Sequence, residues 1–213
     1  GMGYELFRQY VRTVKESRCK WFLYENNNSI HKDIKAAISA SLGVEPIVIN
    51  SALLSAQRRE RCYWTNIPNI KMPTSKNISL IDILDDSCMA TYKGGRLILR
   101  KQELNTKIDK LYKIGVCGDK EVQSNRVYSI YGKSPTLNAN GGGGGSKTGL
   151  YIWKNGAVCA LKPIACERLQ TLPDGYTEGV SDTQRFKGIN NGWTVDVIAH
   201  IFSFLQSEGD YAE

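Results

Sequence analysis

Apolar and polar positions alternate differently in the two ends of the chain and its middle. Leu6, Tyr10, Val11 and Val14 recur at helical spacing, which predicts an amphipathic helix over residues 5–15. Residues 21–24 form an all-apolar run of strand length, stopped by Glu25-Asn26-Asn27-Asn28. An apolar run set between two helices predicts a buried parallel strand. Polar residues at its carboxyl end lie where open α/β sheets carry their chemistry. Ser29 stands where it can cap a helix over residues 30–42, and Gly43 stands where it ends. Residues 46–50 read as a second strand. The first fifty residues thus follow the order α-β-α-β, part of a doubly wound sheet.

Beyond Asn50 the pattern weakens. Arg59 and Arg61 are two apart. On a strand both would project from one face as a fork for an anion or a base edge; the plainer reading is two solvent-exposed arginines. Pro68 and Pro73, with polar residues between them, mark a boundary. A short helix over 79–85, a strand over 96–99 and a helix over 103–112 are predicted from faint signals, in a segment with the composition of a small, basic, irregular domain. Helical patterning returns over 161–172, with Pro163 in the first turn and Pro173 beyond the end. It recurs briefly over 183–186 and clearly over 193–205, where Val197, Ile198, Ile201, Phe202 and Leu205 share a side. The tail after Ser207 is polar, and fraying is expected there.

Residues 141–145 are five consecutive glycines. Glycine loses more backbone freedom on folding than any other residue, so such a run is either a linker or a backbone that must come very close to something. Strand-forming residues flank it at 127–131 and 150–153. Lys133, Ser134, Thr136, Ser146, Lys147 and Thr148 surround it with donors of the kind that grip phosphate. No Gly-Lys-Ser/Thr opens a helix after it, so it is not a P-loop. A bare backbone ringed by hydroxyls and lysines suits a polyanion such as DNA.

Composition sharpens this picture in two respects. The net charge of +7 is uneven. Residues 93–133 hold ten basic against four acidic side chains, and residues 161–213 hold four against eight. A basic middle and an acidic end point to a polyanion site in the middle. The six cysteines include no C-x-x-C pair and the two histidines lie far apart, so no metal site is expected. Several cysteines sit in apolar segments, as reduced thiols of a cytoplasmic protein do. No apolar run approaches the ~18 residues of a membrane span, and no membrane association is expected.

Four stretches, in one order, resemble the C-terminal part of the DNA cytosine-5 methyltransferases of bacteria and phages. Phe22-Leu-Tyr-Glu-Asn-Asn27 resembles the family's Glu-Asn-Val motif at a strand end. Gln57-Arg-Arg-Glu-Arg61 is similar to its Gln-x-Arg-x-Arg. The segment from Pro163 to Tyr176 looks like the helix after the target-recognition domain, and Gly188-Ile-Asn-Asn-Gly-Trp-Thr-Val195 resembles the closing Gly-Asn-x-Val motif. The Thr136-Leu137 pair before the glycines resembles the recognition domain's Thr-Leu. The resemblance implies an α/β fold: the C-terminal half of a doubly wound methyltransferase sheet with an inserted small mixed α/β target-recognition domain. Residues 1–67 would be the partial catalytic domain, 68–160 the recognition domain, and 161–213 helices returning to the catalytic domain.

It also implies chemistry. In the family the cytosine is flipped out of duplex DNA, a cysteine attacks C6, and S-adenosylmethionine gives a methyl group to C5. Carried over, Glu25 would meet the cytosine N3/N4 edge and Arg61 its O2. Gln57 and Arg59 would support that strand, and Asn26 would brace the catalytic loop. Asn191, Gly192 and Trp193 would touch the cofactor. Thr136, Leu137, Gly141, Gly142, Gly143, Ser146 and Lys147 would lie against DNA. The chain departs from the family in having neither the Phe-x-Gly-x-Gly cofactor loop nor a Pro-Cys pair, and in carrying Asn27 for an apolar residue and Asn190 for a glycine. The expectation is therefore the C-terminal half of such an enzyme, inactive alone, partnered by duplex DNA and by a complementary half carrying the nucleophile. The alternative is a non-catalytic DNA-binding module or a decayed prophage relic. An exposed edge of the half-sheet would also invite self-association.

Overall fold

A computed structural model describes residues 2–99, 110–138 and 149–205. These form two compact units, one of residues 2–50, 60–72 and 200–205, the other of residues 51–59 and 73–199. The predicted recognition residues Gly141, Gly142, Gly143, Ser146 and Lys147 lie outside the described residues.

The first unit contains helix α1 (Met2–Ser17), strand β1 (Leu23–Asn27), helix α2 (Lys32–Leu42) and strands β2 (Ile47–Asn50) and β3 (Glu60–Thr65). The strands pair in the order β1-β3-β2, with β3 antiparallel to both neighbours. β1 and β2 therefore run in the same direction, as the α-β-α-β order predicts, but they do not touch. The expected parallel pairing is replaced by a returning strand between them. The apolar run at 21–24 also belongs only in part to β1, which begins at Leu23 and carries on through Glu25, Asn26 and Asn27. Leu23 to Asn26 are half-buried rather than buried. The reason is position: among the described residues β1 has a ladder neighbour on one side only.

Register places Tyr24 and Asn26 on the same face as Cys62 and Trp64, and Glu25 and Asn27 on the other with Arg61 and Tyr63. α1 and α2 cover the first of these faces. Phe7, Ile38, Cys62 and Trp64 are buried there, and Tyr24 packs its ring against Phe7, Tyr10 and Trp64. The Trp64 indole N–H donates to Ser39 Oγ at 3.0 Å, which keeps a fully buried polar atom satisfied. His31, not Ser29, caps α2, its Nδ1 accepting from the Asp33 amide. Gly43 ends the helix at φ 71°, a left-handed conformation that glycine adopts without steric cost.

The second unit holds a six-stranded mixed sheet, where the sequence suggested an irregular domain. Its strands are β4 (Met89–Thr91), β5 (Leu97–Leu99), β6 (Lys113–Cys117), β7 (Arg126–Ser129), β8 (Leu150–Ile152) and β9 (Val158–Leu161), in the order β4-β9-β8-β7-β6-β5. Only the β7–β8 pair is parallel. No strand exceeds five residues, too few for a period of two to stand out. At the β6 bulge, a Cβ on Gly115 would sit 2.6 Å from the Ile98 carbonyl oxygen, so that position needs glycine. The expected helix at 103–112 lies outside the described residues up to 109, and Leu111 and Tyr112 lead directly into β6.

The helices of this region are α3 (Leu80–Ile83), α4 (Pro163–Leu169), α5 (Asp182–Asn191) and α6 (Val195–Phe202). α3 opens with a capping box in which the Ser79 amide and hydroxyl both donate to Asp82 Oδ2. Leu161, predicted at the head of α4, instead ends β9 opposite Met89. Leu80, Tyr128, Ile130, Tyr151, Trp153, Leu161, Leu169 and Ile189 share one core cluster.

Residues 51–59 connect β2 to β3 as a single 3-10 turn (Ser51–Leu53) and a loop, and the stretch is buried: only Arg58 in it is exposed. A buried loop has carbonyls with no ladder to accept from, so they need donors from elsewhere. Lys133 supplies them. It is fully buried, and its ammonium donates to the carbonyls of Ala52 (2.7 Å), Ser55 (3.0 Å) and Ile78. Ser134 is fully buried too, bonded to the Tyr151 hydroxyl and bridged through its backbone to Ala56 and Arg58. Neither is a surface donor for phosphate, contrary to the sequence expectation. Their hydrogen-bonding capacity is spent inside the protein.

Two stability outcomes follow from this packing. Lys133→Met keeps the stem but leaves the carbonyls without their charged donor, and should cost about 3 kcal/mol in urea unfolding. Trp64→Ala should cost about 3–5 kcal/mol by opening a cavity in the first unit's core. Unfolding curves within 0.5 kcal/mol of the parent, a margin typical of surface changes, would show either anchor to be incidental.

Candidate active site

The predicted site residues fall into two groups, one in each unit. In the first, register sets Glu25 and Arg61 on one face of adjacent strands. Arg61 Nε lies 2.8 Å from Glu25 Oε1, and both side chains are mostly buried, at 13% and 18% exposed. Arg61 Nη1 also donates to the Glu60 carbonyl at 2.9 Å, which fixes the plane of the guanidinium. The result is a carboxylate and a guanidinium held side by side on adjacent strands, with Glu25 in the middle of β1. Two such groups can meet the edge of a planar polar ring at neighbouring acceptor and donor positions.

Asn26 is on the opposite face of β1 from this pair. Its Oδ1 accepts from the Asn27 amide at 2.8 Å, and its side chain lines a groove between α1 and α2. The same face carries a polar tie that the sequence reading missed. Glu60 accepts from Asn28 and Asn50, both at 3.3 Å, while Asn28 Oδ1 accepts from Lys35 at 2.7 Å. This tie joins the ends of β1, β2 and β3. Glu60 was visible in the Arg-Arg-Glu-Arg run, where strand alternation sends it away from Arg61.

The second group surrounds the buried 51–59 loop. Arg59 does not form a fork with Arg61. It precedes β3, is 5% exposed, and donates through Nη2 to the carbonyls of Gly192 (3.0 Å) and Asn190 (3.3 Å). Gln57 is fully buried: its Oε1 accepts from the Leu137 amide at 3.0 Å, and its Nε2 donates to Leu169 O and Gln170 Oε1. Gln170, which the sequence reading passed over, donates in turn to Ile189 O and Gly192 O. Thr194 and Ser51 extend the chain of bonds. These side chains are braces. They hold the closing motif and the Thr136-Leu137 turn in place from inside.

Thr136 is exposed, yet its hydroxyl donates to the Arg58 carbonyl at 2.7 Å; Leu137 is buried. Asn190 is 3% exposed, and its Nδ2 donates to the Asn138 carbonyl at 2.9 Å while Oδ1 has no hydrogen-bond partner among the described residues. Of the predicted cofactor contacts, Asn191 and Trp193 are exposed and the Gly192 carbonyl is taken by Arg59 and Gln170. Asn191 and Trp193 thus present a carboxamide and an indole to solvent on either side of a glycine whose carbonyl is held from inside.

Burial pushes the thiols of Cys62, Cys88, Cys117 and Cys159 up, so these remain protonated and poorly nucleophilic. Among the described residues, no group of three or more His, Cys, Asp or Glu side chains is placed to hold a metal ion, and no helix is long and apolar enough to cross a membrane.

The sequence profile of C-5 cytosine-specific DNA methylases matches residues 2–207. The type II methyltransferase M.HhaI of Haemophilus parahaemolyticus is 32% identical over 219 residues, covering 92% of this chain and 66% of the relative. The chain thus spans about two thirds of that protein's length. Among solved structures, a protein encoded within an Escherichia coli prophage matches with a TM-score of 0.61 at 15% identity, covering 94% of this chain and 72% of that one. The Dnmt2 methyltransferase of S. pombe matches with 0.58 at 10% identity, covering 93% and 70%. These likenesses show an α/β methyltransferase fold with a mixed sheet. By the extent of the profile match and the identity to the Haemophilus protein, this chain belongs to the C-5 cytosine-specific DNA methylase family.

Proposed function

We propose that this chain supplies target recognition and half of the flipped-base pocket to a DNA cytosine-5 methyltransferase, and that it is inactive by itself. The observation that carries the reading is the Glu25–Arg61 pair, 2.8 Å apart and mostly buried on one face of the sheet. A cytosine turned into this pocket presents N3 and O2 on adjacent positions. Glu25 holds a proton at N3, and the Arg61 guanidinium donates to O2. Together they offset the charge that builds on the ring once its C6 is attacked. The bond from Arg61 to the Glu60 carbonyl prevents the guanidinium from swinging away when the base enters.

The remaining roles follow the same reading. Residues 1–67 form part of the catalytic domain, residues 68–160 the target-recognition domain, and residues 161–213 return to the catalytic domain. Thr136 and the glycine-rich stretch lie against duplex DNA, with Gln57 and Arg59 as positioning residues behind them. Asn191, Gly192 and Trp193 form one wall of the cofactor site. S-adenosylmethionine, when bound there, supplies an electrophilic methyl group. The nucleophile and the cofactor loop come from polypeptide outside this sequence, either upstream in the same chain or separate. No proline here precedes a cysteine, and the four thiols described above are protonated by burial. The same two observations favour, as a second reading, a DNA-binding module of this family without catalysis.

Transfer of labelled methyl groups from S-adenosylmethionine to cytosine-rich duplex DNA separates the two. The expected result is no transfer by this chain alone, and transfer once the part of the Haemophilus relative outside the match is added as a separate polypeptide. Glu25→Gln should then lower the rate about 100-fold or more, the scale of losing one group that stabilises a transition state. Transfer by the chain alone would overturn the assignment of a missing nucleophile. Duplex affinity should fall steeply with salt, by nearly one unit of log–log slope per phosphate covered. A flat salt response would remove DNA as the ligand under either reading.

A further inference from the structure

We infer that Asn190 is a positioning residue: its carboxamide fastens the segment at 136–138 to the closing motif at 188–194, so that duplex DNA seated on that segment orders the wall proposed for the cofactor. The inference rests on the proposed reading of Thr136 as a DNA contact and of Asn191, Gly192 and Trp193 as a cofactor wall. It goes further in naming the side chain through which one is felt at the other.

Asn190 lies one position before the end of α5 and is 3% exposed. Its Nδ2 donates to the Asn138 carbonyl at 2.9 Å, and Asn138 stands three positions before Gly141. Its Oδ1 has no hydrogen-bond partner among the described residues. A buried carboxamide satisfied on one side only stabilises a fold less than an apolar side chain of its size. Asn190 is therefore accounted for by what its Nδ2 holds rather than by packing. The position is also one at which the chain departs from its family, with asparagine where glycine is usual. A glycine has no side chain to span this gap, so the tie belongs to this chain in particular.

The bond joins two pieces of backbone that are each held from inside. Leu137, next to Asn138, donates its amide to Gln57 Oε1 at 3.0 Å. On the motif side the Asn190 carbonyl accepts from Arg59 at 3.3 Å, and the Gly192 carbonyl accepts from Arg59 at 3.0 Å and Gln170 at 3.1 Å. Gln57 and Gln170 are bonded to each other at 3.2 Å. All of these residues belong to one compact unit. Asn190 thus closes a ring that runs from Asn138 through Leu137, Gln57 and Gln170 to Gly192 and back along the end of α5. Within a closed ring of hydrogen bonds, a shift of the 136–138 segment reaches residues 190–192 with little slack. Opening the ring at Asn190 lets the carbonyl of Asn138, an exposed residue, turn to water instead. Thr136 on one side and Asn191 and Trp193 on the other keep their exposure to solvent, where ligands meet them. Such a coupling runs both ways, so a nucleoside against Asn191 and Trp193 steadies the 136–138 segment in turn.

Hydrogen exchange of the chain, read by mass spectrometry with and without a cytosine-rich duplex, tests this. In the wild type the duplex should slow exchange across residues 186–195 about fivefold or more, the lower end of ordinary coupling between sites. Asn190→Ala and Asn190→Gly should bind the duplex with an unchanged salt slope, since neither removes a phosphate contact, yet show no slowing there. Without DNA their exchange across β7 should match wild type, because the core around that strand is untouched. Equal slowing in the wild type and both variants overturns the proposal. So does faster exchange in the variants without DNA that the duplex then slows by the wild-type factor, which is the mark of a plain structural brace. Duplex binding by the wild type with no slowing at 186–195 overturns the coupling and leaves the functional reading standing. No duplex binding at any salt concentration sinks the functional reading and the coupling with it.

Discussion

A buried loop has to find donors for its carbonyls, and the loop of residues 51–59 shapes much of the second unit around that need. Helices and sheets satisfy their own backbones; a loop does not. The Lys133 ammonium supplies Ala52 and Ser55, the Thr136 hydroxyl supplies Arg58, and the Lys76 and Ser134 amides supply Leu53 and Ala56, while the buried Gln57, Arg59 and Gln170 side chains reach to other backbone groups around the loop. Each of the buried side chains loses its hydration on burial and is tolerable only because its partners are in place. The closing motif at 188–194 and the turn at Thr136-Leu137 are fixed as by-products, because they provide the carbonyls and amides to which these side chains reach.

Arg59 and Arg61 show how two residues apart in sequence diverge in role. Arg59 lies before the strand begins and turns inward to backbone carbonyls. Arg61 lies within the ladder, and register sends it to the same face as Glu25. One guanidinium organises the scaffold and the other pairs with a carboxylate in the proposed site. Glu60 between them faces the helices and ties three strand ends together. The local order Arg-Glu-Arg thus distributes charge over a core, a helix-covered face and a site.

The sequence made the long amphipathic helix α1 and the direction of β1 and β2 legible, because those signals are local periodicity. It did not reveal that β3 comes between β1 and β2, since nothing local records which strands pair. The six-stranded sheet escaped notice because its strands run only three to five residues. Lys133 and Ser134 were misread as surface donors because a lysine beside a glycine-rich run is usually solvated, and its three carbonyl partners lie more than fifty residues away. Glu25 and Arg61 were legible only through their family resemblance. Neither periodicity nor charge would have joined residues 36 positions apart, whereas the antiparallel register does.

The central claim is that Glu25 and Arg61 act as one unit on a bound base. A double-mutant cycle measures this directly, with Glu25→Gln, Arg61→Met and the combined variant compared by kcat/KM for methyl transfer in the assembled enzyme. If the two side chains share one transition-state task, the combined variant should be little worse than the more damaged single variant. Losses that simply add would mean the two groups work independently and that their contact in the structure is an ordinary ion pair.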